Sequence, residues 1–276
     1  MSEKSTLSGL KIGIIGAGNM GQALVRGLVE KSVYPQHISI FDVEKKKLDA
    51  IKKEAAVRAA KSNRQCVSLS DVVILAVKPQ ILKEVIEEIS TATPKDALVI
   101  SIAAGVSIRS IEEYFKRPVS LIRVMPNMPA LVGAGMSAFS LGRHAAAKHR
   151  KIAEAILSAF GEALPVQEKM LDLVTAVSGS GPAYFFLLAE KIIEAAYELG
   201  MKVDVAKKLV YQTAFGSGEV LKRSGDDPED LIEKVASKGG ATEAALKVFQ
   251  KKGFGKIVQD GVRAAYKRSR ELKREK

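Results

Sequence analysis

A glycine-rich turn set between an apolar strand and a helix constrains this chain more than any other feature. Lys11–Ile15 is a short apolar run, Gly16-Ala17-Gly18-Asn19-Met20-Gly21 follows at once, and a helical pattern through Ala23, Leu24, Gly27 and Leu28 comes next. In that setting the first glycine turns the chain out of the strand and the second lets a pyrophosphate approach the backbone. The third lets the helix pack close to the sheet, with the phosphates on the helix N-terminus. Gly16, Ala17, Gly18, Asn19, Met20 and Gly21 are therefore expected to bind a dinucleotide. Asp42 closes the next apolar run, Ile38–Phe41, 21 positions after Gly21. A carboxylate there accepts hydrogen bonds from the adenosine ribose hydroxyls. The bland alternative for Asp42 is a solvated turn residue.

The runs Val72–Val77, Ala97–Ile102 and Val119–Val124 extend the pattern, with amphipathic helices between them. Continuous apolar strands separated by helices predict a parallel sheet covered on both faces, wound as an α/β fold of Rossmann type. Ligands of such sheets lie beyond the carboxyl ends of the strands. Ala76, Val77, Lys78 and Pro79 end one strand, Ala103 and Ala104 the next, and Asn127 stands between two prolines after the last. All seven are expected near the cofactor. Lys78 also reads as an ordinary surface lysine, and Asn127 as a turn-forming asparagine.

After Gly161 the texture changes. One last strand candidate, Ala163–Val166, precedes a helical half: Leu171–Val177, Pro182–Leu199, Val205–Ser224, Pro228–Val235, Thr242–Lys251 and Phe254–Glu275. The expected organisation is a dinucleotide-binding domain over 1–168 and an all-helical domain over 169–276 that builds a homodimer. The helix at 182–199 carries the dimer argument, because it is apolar almost all round and so needs cover on every side.

Two motifs mark the helical half. Ser178-Gly179-Ser180-Gly181-Pro182 reads as a helix break whose small residues admit close approach of a backbone or flat ligand. Ser237-Lys238-Gly239-Gly240-Ala241-Thr242 reads as an anion cradle of free amides at a helix N-terminus, suited to a carboxylate. The plainer alternative is that Ser237 or Thr242 caps the helix.

Composition excludes several classes. Three histidines and the single Cys66 leave too few ligands for a zinc site, so no metal is expected, and Cys66 reads as a small partly buried thiol. The net charge of +12 invites a nucleic-acid reading. Seven cations against Glu271 and Glu275 sit in the stretch 261–276, and without interleaved aromatic residues they form a solvated helix face. The run Val72–Val77 is too short to cross a bilayer, and the opening MSEKSTLSGLK has no apolar core of signal-peptide length. A cytoplasmic protein with no membrane or nucleic-acid partner is expected.

Taken together, the chain resembles the pyrroline-5-carboxylate reductase family. GAGNMG, AVKP, SIAAGV, RVMPNMPA, VSGSGPAYFF and KGGAT occur in the family's order and at its approximate spacings, and GFG follows at Gly253–Gly255. The resemblance implies reduction of 1-pyrroline-5-carboxylate to L-proline by NADH or NADPH at a site where the Rossmann and helical domains meet. It implies that Ser237, Gly239, Gly240 and Ala241 hold the substrate carboxylate and that Thr242 hydrogen-bonds to the ring nitrogen. It also implies a cofactor-ribose contact at Asn63, eight residues before Asp71, and dimers that assemble further, typically as decamers. Three residues depart from the family pattern. Met128 stands where threonine is usual, Lys238 where proline is common, and Asp42 where many members carry a small polar or basic residue. Asp42 makes NADH the expected preference, although Lys45, Lys46 and Lys47 could meet a 2′-phosphate.

The rival readings are a related imine or β-hydroxyacid reductase, and a non-catalytic nucleotide-sensing or nucleic-acid-binding protein. The first shares the Rossmann half but not the Ser237–Thr242 cradle. The second leaves that cradle without a purpose.

Overall fold

The computed structural model describes residues 6–31 and 33–274. Residues 1–5 of the opening on which the export-signal expectation rests lie outside them, as do Glu275 and Lys276 of the basic stretch. The chain divides into two compact units. One runs to Ser180 and takes up the chain again from Tyr266; the other is Gly181–Ala265.

The first unit is built on a sheet of β1 (Ile12–Ile15), β2 (Ile38–Phe41), β3 (Arg58–Ala59), β4 (Val72–Leu75), β5 (Leu98–Ser101), β6 (Ser120–Met125), β7 (Gly135–Leu141) and β8 (Gly161–Pro165). The spatial order is β3-β2-β1-β4-β5-β6-β7-β8. Every neighbouring pair is parallel except β6 and β7. Its helices include α1 (Asn19–Glu30), α2 (Lys45–Ala55), α3 (Asn63–Val67), α4 (Leu82–Ile89), α5 (Ile108–Phe115), α6 (Ala147–Leu157) and α7 (Leu171–Val174).

Alternate residues of each central strand face opposite layers. Ile14, Ile40, Ile74 and Ile100 pack with Leu24, Leu28, Ile156 and Phe160 on one face. Val73, Leu75, Val99 and Leu121 pack with Ile86, Ile89, Ile111 and Phe115 on the other. Complete burial of such a side chain stabilises the fold by about 1.5–3 kcal/mol. Both faces being covered is the reason these strands read as continuous apolar runs.

Two strands have no counterpart in the sequence reading. β3 is two residues long, and β7 carries Gly135, Ser137 and Ser140 among its apolar residues. The serines are buried, which interrupts the apolar signal without exposing the strand.

The expected break at Ser178–Pro182 is also different. Thr175–Gly179 forms a π-helical turn, and the chain stays helical from Glu168 to Glu198. Pro182 falls at the second position of α8 (Gly181–Glu198) and brings no N–H to the helical run. By length and composition Glu168–Glu198 could cross a bilayer, a longer stretch than the Val72–Val77 run.

At the root of this helical run Glu168 Oε1 accepts from Arg123 Nη1 at 3.1 Å and from the Ile108 amide at 2.7 Å. Arg123 is buried in β6. One carboxylate thus joins β6, the first turn of α5 and the start of the helical run.

The second unit contains α8, α9 (Val203–Arg223), α10 (Pro228–Val235), α11 (Ala241–Lys251) and the first half of α12 (Phe254–Arg274). α8 leaves Phe185 68% exposed, Phe186 57% and Leu187 56% in the single chain. So large an apolar face on one helix marks a surface that needs a partner.

Candidate functional site

The strand order reverses between β1 and β4, and the glycine-rich turn lies at that switch point. Gly16 has φ +105°, and a Cβ on it would stand 2.4 Å from the Ala76 carbonyl oxygen. A Cβ on Gly21 would stand 2.0 Å from the Gly16 oxygen. Both positions therefore need glycine, and the loops that end β1 and β4 touch.

Gly18 has open space where a Cβ would be. It also caps α1, whose first turn has no capping side chain and no acid. The amides opening α1 face a space that an anion can enter, with the positive end of the helix dipole behind them. These residues fit the pyrophosphate of a dinucleotide.

Asp42 does more than close β2. Its Oδ2 accepts from the Ala17 amide at 2.7 Å and its Oδ1 from the Glu44 amide at 2.8 Å. The carboxylate thus fixes the glycine-rich turn while keeping lone pairs for a further donor. Lys47, the third lysine of the run, is held by Glu44 at 2.5 Å, and Asp42 adds to that field, so the ammonium pKa is raised. Lys45 and Lys46 are exposed.

The remaining positions divide. Lys78 is exposed and pairs with no described acid, so its charge is open to a ligand. Ala103 is buried and Ala104 exposed at the end of β5. Asn63 is buried at the start of α3, where its Nδ2 donates to Glu88 Oε2 at 2.7 Å. Asn127 Oδ1 accepts from the Met136 amide at 2.8 Å, and its Nδ2 donates to the Ser178 carbonyl at 3.3 Å and Oγ at 3.2 Å. The Cys66 thiol is buried rather than partly buried, and desolvation pushes its pKa up to about 12, against a weaker opposing hydrogen bond to the Ile14 carbonyl. It is no nucleophile.

In the second unit the sequence 237–242 forms the expected turn ahead of α11. Gly239 takes φ +74°, and the Gly240 amide donates to the Ser237 carbonyl at 2.9 Å. The expectation of free amides needs one correction. The Gly239 amide donates to Glu243 Oε2 at 2.7 Å. That hydrogen bond, followed by one from Lys247, lowers the Glu243 pKa. Glu243 stands three residues after the cap residue Gly240, the spacing at which a helix-opening acid reaches back to the preceding backbone. The amides of Ala241 and Thr242 open α11 with no side chain capping it.

The comparisons with known proteins fit this geometry. The family description "Pyrroline-5-carboxylate reductase dimerisation" matches residues 168–272, and "NADP oxidoreductase coenzyme F420-dependent" matches residues 11–105. A pyrroline-5-carboxylate reductase of Pseudomonas aeruginosa is 40% identical over 263 residues, 95% of this chain and 96% of its own. The chain belongs to the pyrroline-5-carboxylate reductase family.

Another family member, from Synechocystis, is 39% identical across 95% of this chain and 98% of its own. A solved reductase from Coxiella burnetii superposes with a TM-score of 0.90 at 34% identity, covering 95% of this chain and 98% of that one. The Plasmodium falciparum pyrroline carboxylate reductase, solved with NADP bound, gives 0.86 at 30% identity over 96% and 98%. The dimerisation match contains all of α8, so the family accounts for an apolar helix that one chain leaves uncovered.

Proposed function

We propose that this protein reduces 1-pyrroline-5-carboxylate to L-proline with hydride from NADH or NADPH, the last step of proline biosynthesis. Membership of the reductase family over 95% of the chain carries the reading. Gly16, Ala17, Gly18, Asn19, Met20 and Gly21 take the pyrophosphate, with Asp42 and Asn63 toward the adenosine ribose. Ala76, Val77, Lys78, Pro79, Ala103, Ala104 and Asn127 line the rest of the cofactor crevice. Ser237, Gly239, Gly240, Ala241 and Thr242 hold the substrate carboxylate, and the Thr242 hydroxyl hydrogen-bonds to the ring nitrogen. Reduced nicotinamide supplies the hydride.

A protonated cyclic imine is already a strong electrophile, so orientation is the protein's main contribution. This suits a site with no evident general base. Asp42 favours NADH at least equally with NADPH, because its carboxylate would lie close to a 2′-phosphate and repel it.

The two domains of this reading are 1–168 and 169–276; the dimerisation match, which begins at residue 168, supports that division. Residues 169–276 build a homodimer that assembles further into a decamer-like ring. The protein is cytoplasmic, its apolar α8 is covered by a second copy rather than by lipid, and its basic helix is solvated rather than bound to nucleic acid.

The test is loss of absorbance at the reduced nicotinamide band when purified protein meets pyrroline-5-carboxylate, with NADH and NADPH in parallel. Loss with at least one cofactor is expected. No loss with either, or faster turnover of 3-hydroxy acids in the reverse direction, overturns the reading.

A further inference from the structure

We infer that Asn127 is a positioning residue for the reduction: it holds the π turn Thr175–Gly179 against the carboxyl end of β6 by donating the hydrogen bond that Pro182 cannot. The inference rests on the reductase reading for its reaction and on the hydrogen bonds alone for its geometry.

In a continuous helix the carbonyl of residue 178 takes its donor from the amide of residue 182. Residue 182 is proline and has no N–H. The chain is helical on both sides of this point, so the Ser178 carbonyl needs another donor. Asn127 Nδ2 lies 3.3 Å from that oxygen and 3.2 Å from Ser178 Oγ. The other end of the carboxamide is also fixed, since Oδ1 accepts the Met136 amide at 2.8 Å. One side chain therefore ties the loop after β6, the start of β7 and the π turn together.

Two contacts show that this seat is specific. A Cβ on Gly179 would come 2.6 Å from the terminal methyl of Met125, the last residue of β6. Thr175 Oγ1 donates to the Leu171 carbonyl at 2.8 Å, which steadies the turn from its other side. π turns of this kind concentrate where a helix is shaped for a function rather than for stability. This one stands at the carboxyl end of the sheet, where ligands of such folds lie. A shift of the π turn therefore moves a wall of the crevice, and displacements of about 1 Å in such walls change rates by roughly a hundredfold.

The experiment uses Asn127→Asp, alone and combined with Pro182→Ala. Aspartate still accepts the Met136 amide but cannot donate to the Ser178 carbonyl. Alanine at 182 gives that carbonyl a backbone donor again. Two readouts are measured on the full chain: steady-state kinetics with pyrroline-5-carboxylate, and amide hydrogen exchange over residues 175–181.

N127D should lower kcat tenfold or more and speed exchange in the π turn at least tenfold. N127D/P182A should recover kcat to within threefold of the parent and slow the exchange again. If N127D alone fails to fold, the double variant carries the test by itself, with the same expectation. A parental kcat and exchange rate in N127D overturn the role, as does a double variant that recovers neither. The parent protein run alongside separates the two claims. No turnover by the parent refutes the reaction, whereas parental exchange in N127D refutes the positioning alone.

Discussion

Asp42 offers the sharpest test of the cofactor reading, because the structure gives its carboxylate two tasks that one substitution separates. Asp42→Asn keeps the size and shape of the side chain. The amide has only one acceptor oxygen, whereas the carboxylate serves the Ala17 and Glu44 amides with different oxygens. One backbone N–H must then face an NH2 group, and losing a hydrogen bond to a charged acceptor costs about 1.5–3 kcal/mol. The site is only half-buried, so the loss should fall near the lower figure.

The second task concerns the 2′-phosphate. Two unit charges 4 Å apart at an effective dielectric of about 20 repel by about 4 kcal/mol. Salt at physiological strength, with a Debye length of about 8 Å, and solvent at this exposed edge reduce that to roughly 1–2 kcal/mol. Removing the charge should therefore raise the ratio of kcat/KM for NADPH over that for NADH by about tenfold. Part of the change comes from a fall in NADH efficiency, as the ribose loses a charged acceptor. The assay is initial rates with both cofactors at fixed pyrroline-5-carboxylate, with a melting curve as control. A ratio that moves less than twofold while the melting point drops would show that Asp42 serves the glycine-rich turn and not the ribose. A parental preference for NADPH of tenfold or more would show that Lys45 and Lys46 outweigh the carboxylate.

Thr242→Ala should lower kcat by about fivefold, the equivalent of one neutral hydrogen bond of about 1 kcal/mol, with cofactor affinity unchanged; parental kinetics would remove the hydroxyl from the reaction. Phe186→Arg puts a charge on the exposed apolar face of α8 and should shift the protein from dimer or larger to monomer in light scattering, and a parental mass would place the interface elsewhere. Glu243 has a depressed pKa, so its hold on the Gly239 amide is fully present above the ordinary glutamate pKa and is lost as the pH falls through the lower folded value. The Gly239 amide proton should accordingly titrate with a midpoint below that of a free glutamate; a midpoint at or above it would refute the contact.

The central strands were legible because burial on both faces leaves nothing polar in Ile12–Ile15 or Val72–Leu75. β7 was hidden because Ser137 and Ser140 sit at buried positions, so its period-2 signal is lost although its burial is not. Glycine spacing located the tight turn after β1, since sterics alone require Gly16 and Gly21. The second partner of Asp42, on the turn itself, needs a distance across 25 residues and is absent from any local pattern. Glu243 could have been found, because an acid three residues after a helix-opening glycine is a local signal. Asn127 was singled out by its two flanking prolines, but its partner lies 51 residues away and became visible only with the fold.

The return of α12 to the first unit fixes an order in time. Ser269 Oγ donates to Asp172 Oδ1 at 3.3 Å, and both residues are buried. Between the stretch ending at Ser180 and the one starting at Tyr266, a ribosome must make the 85 residues from Gly181 to Ala265. At about 5–20 residues per second that interval is roughly 4–17 s. For that time the nucleotide-binding unit exists with its sheet complete and its last helical turns unmade. Its closure waits for the entire helical unit, so a chain stalled between the two would show a formed sheet and an open seam around Asp172.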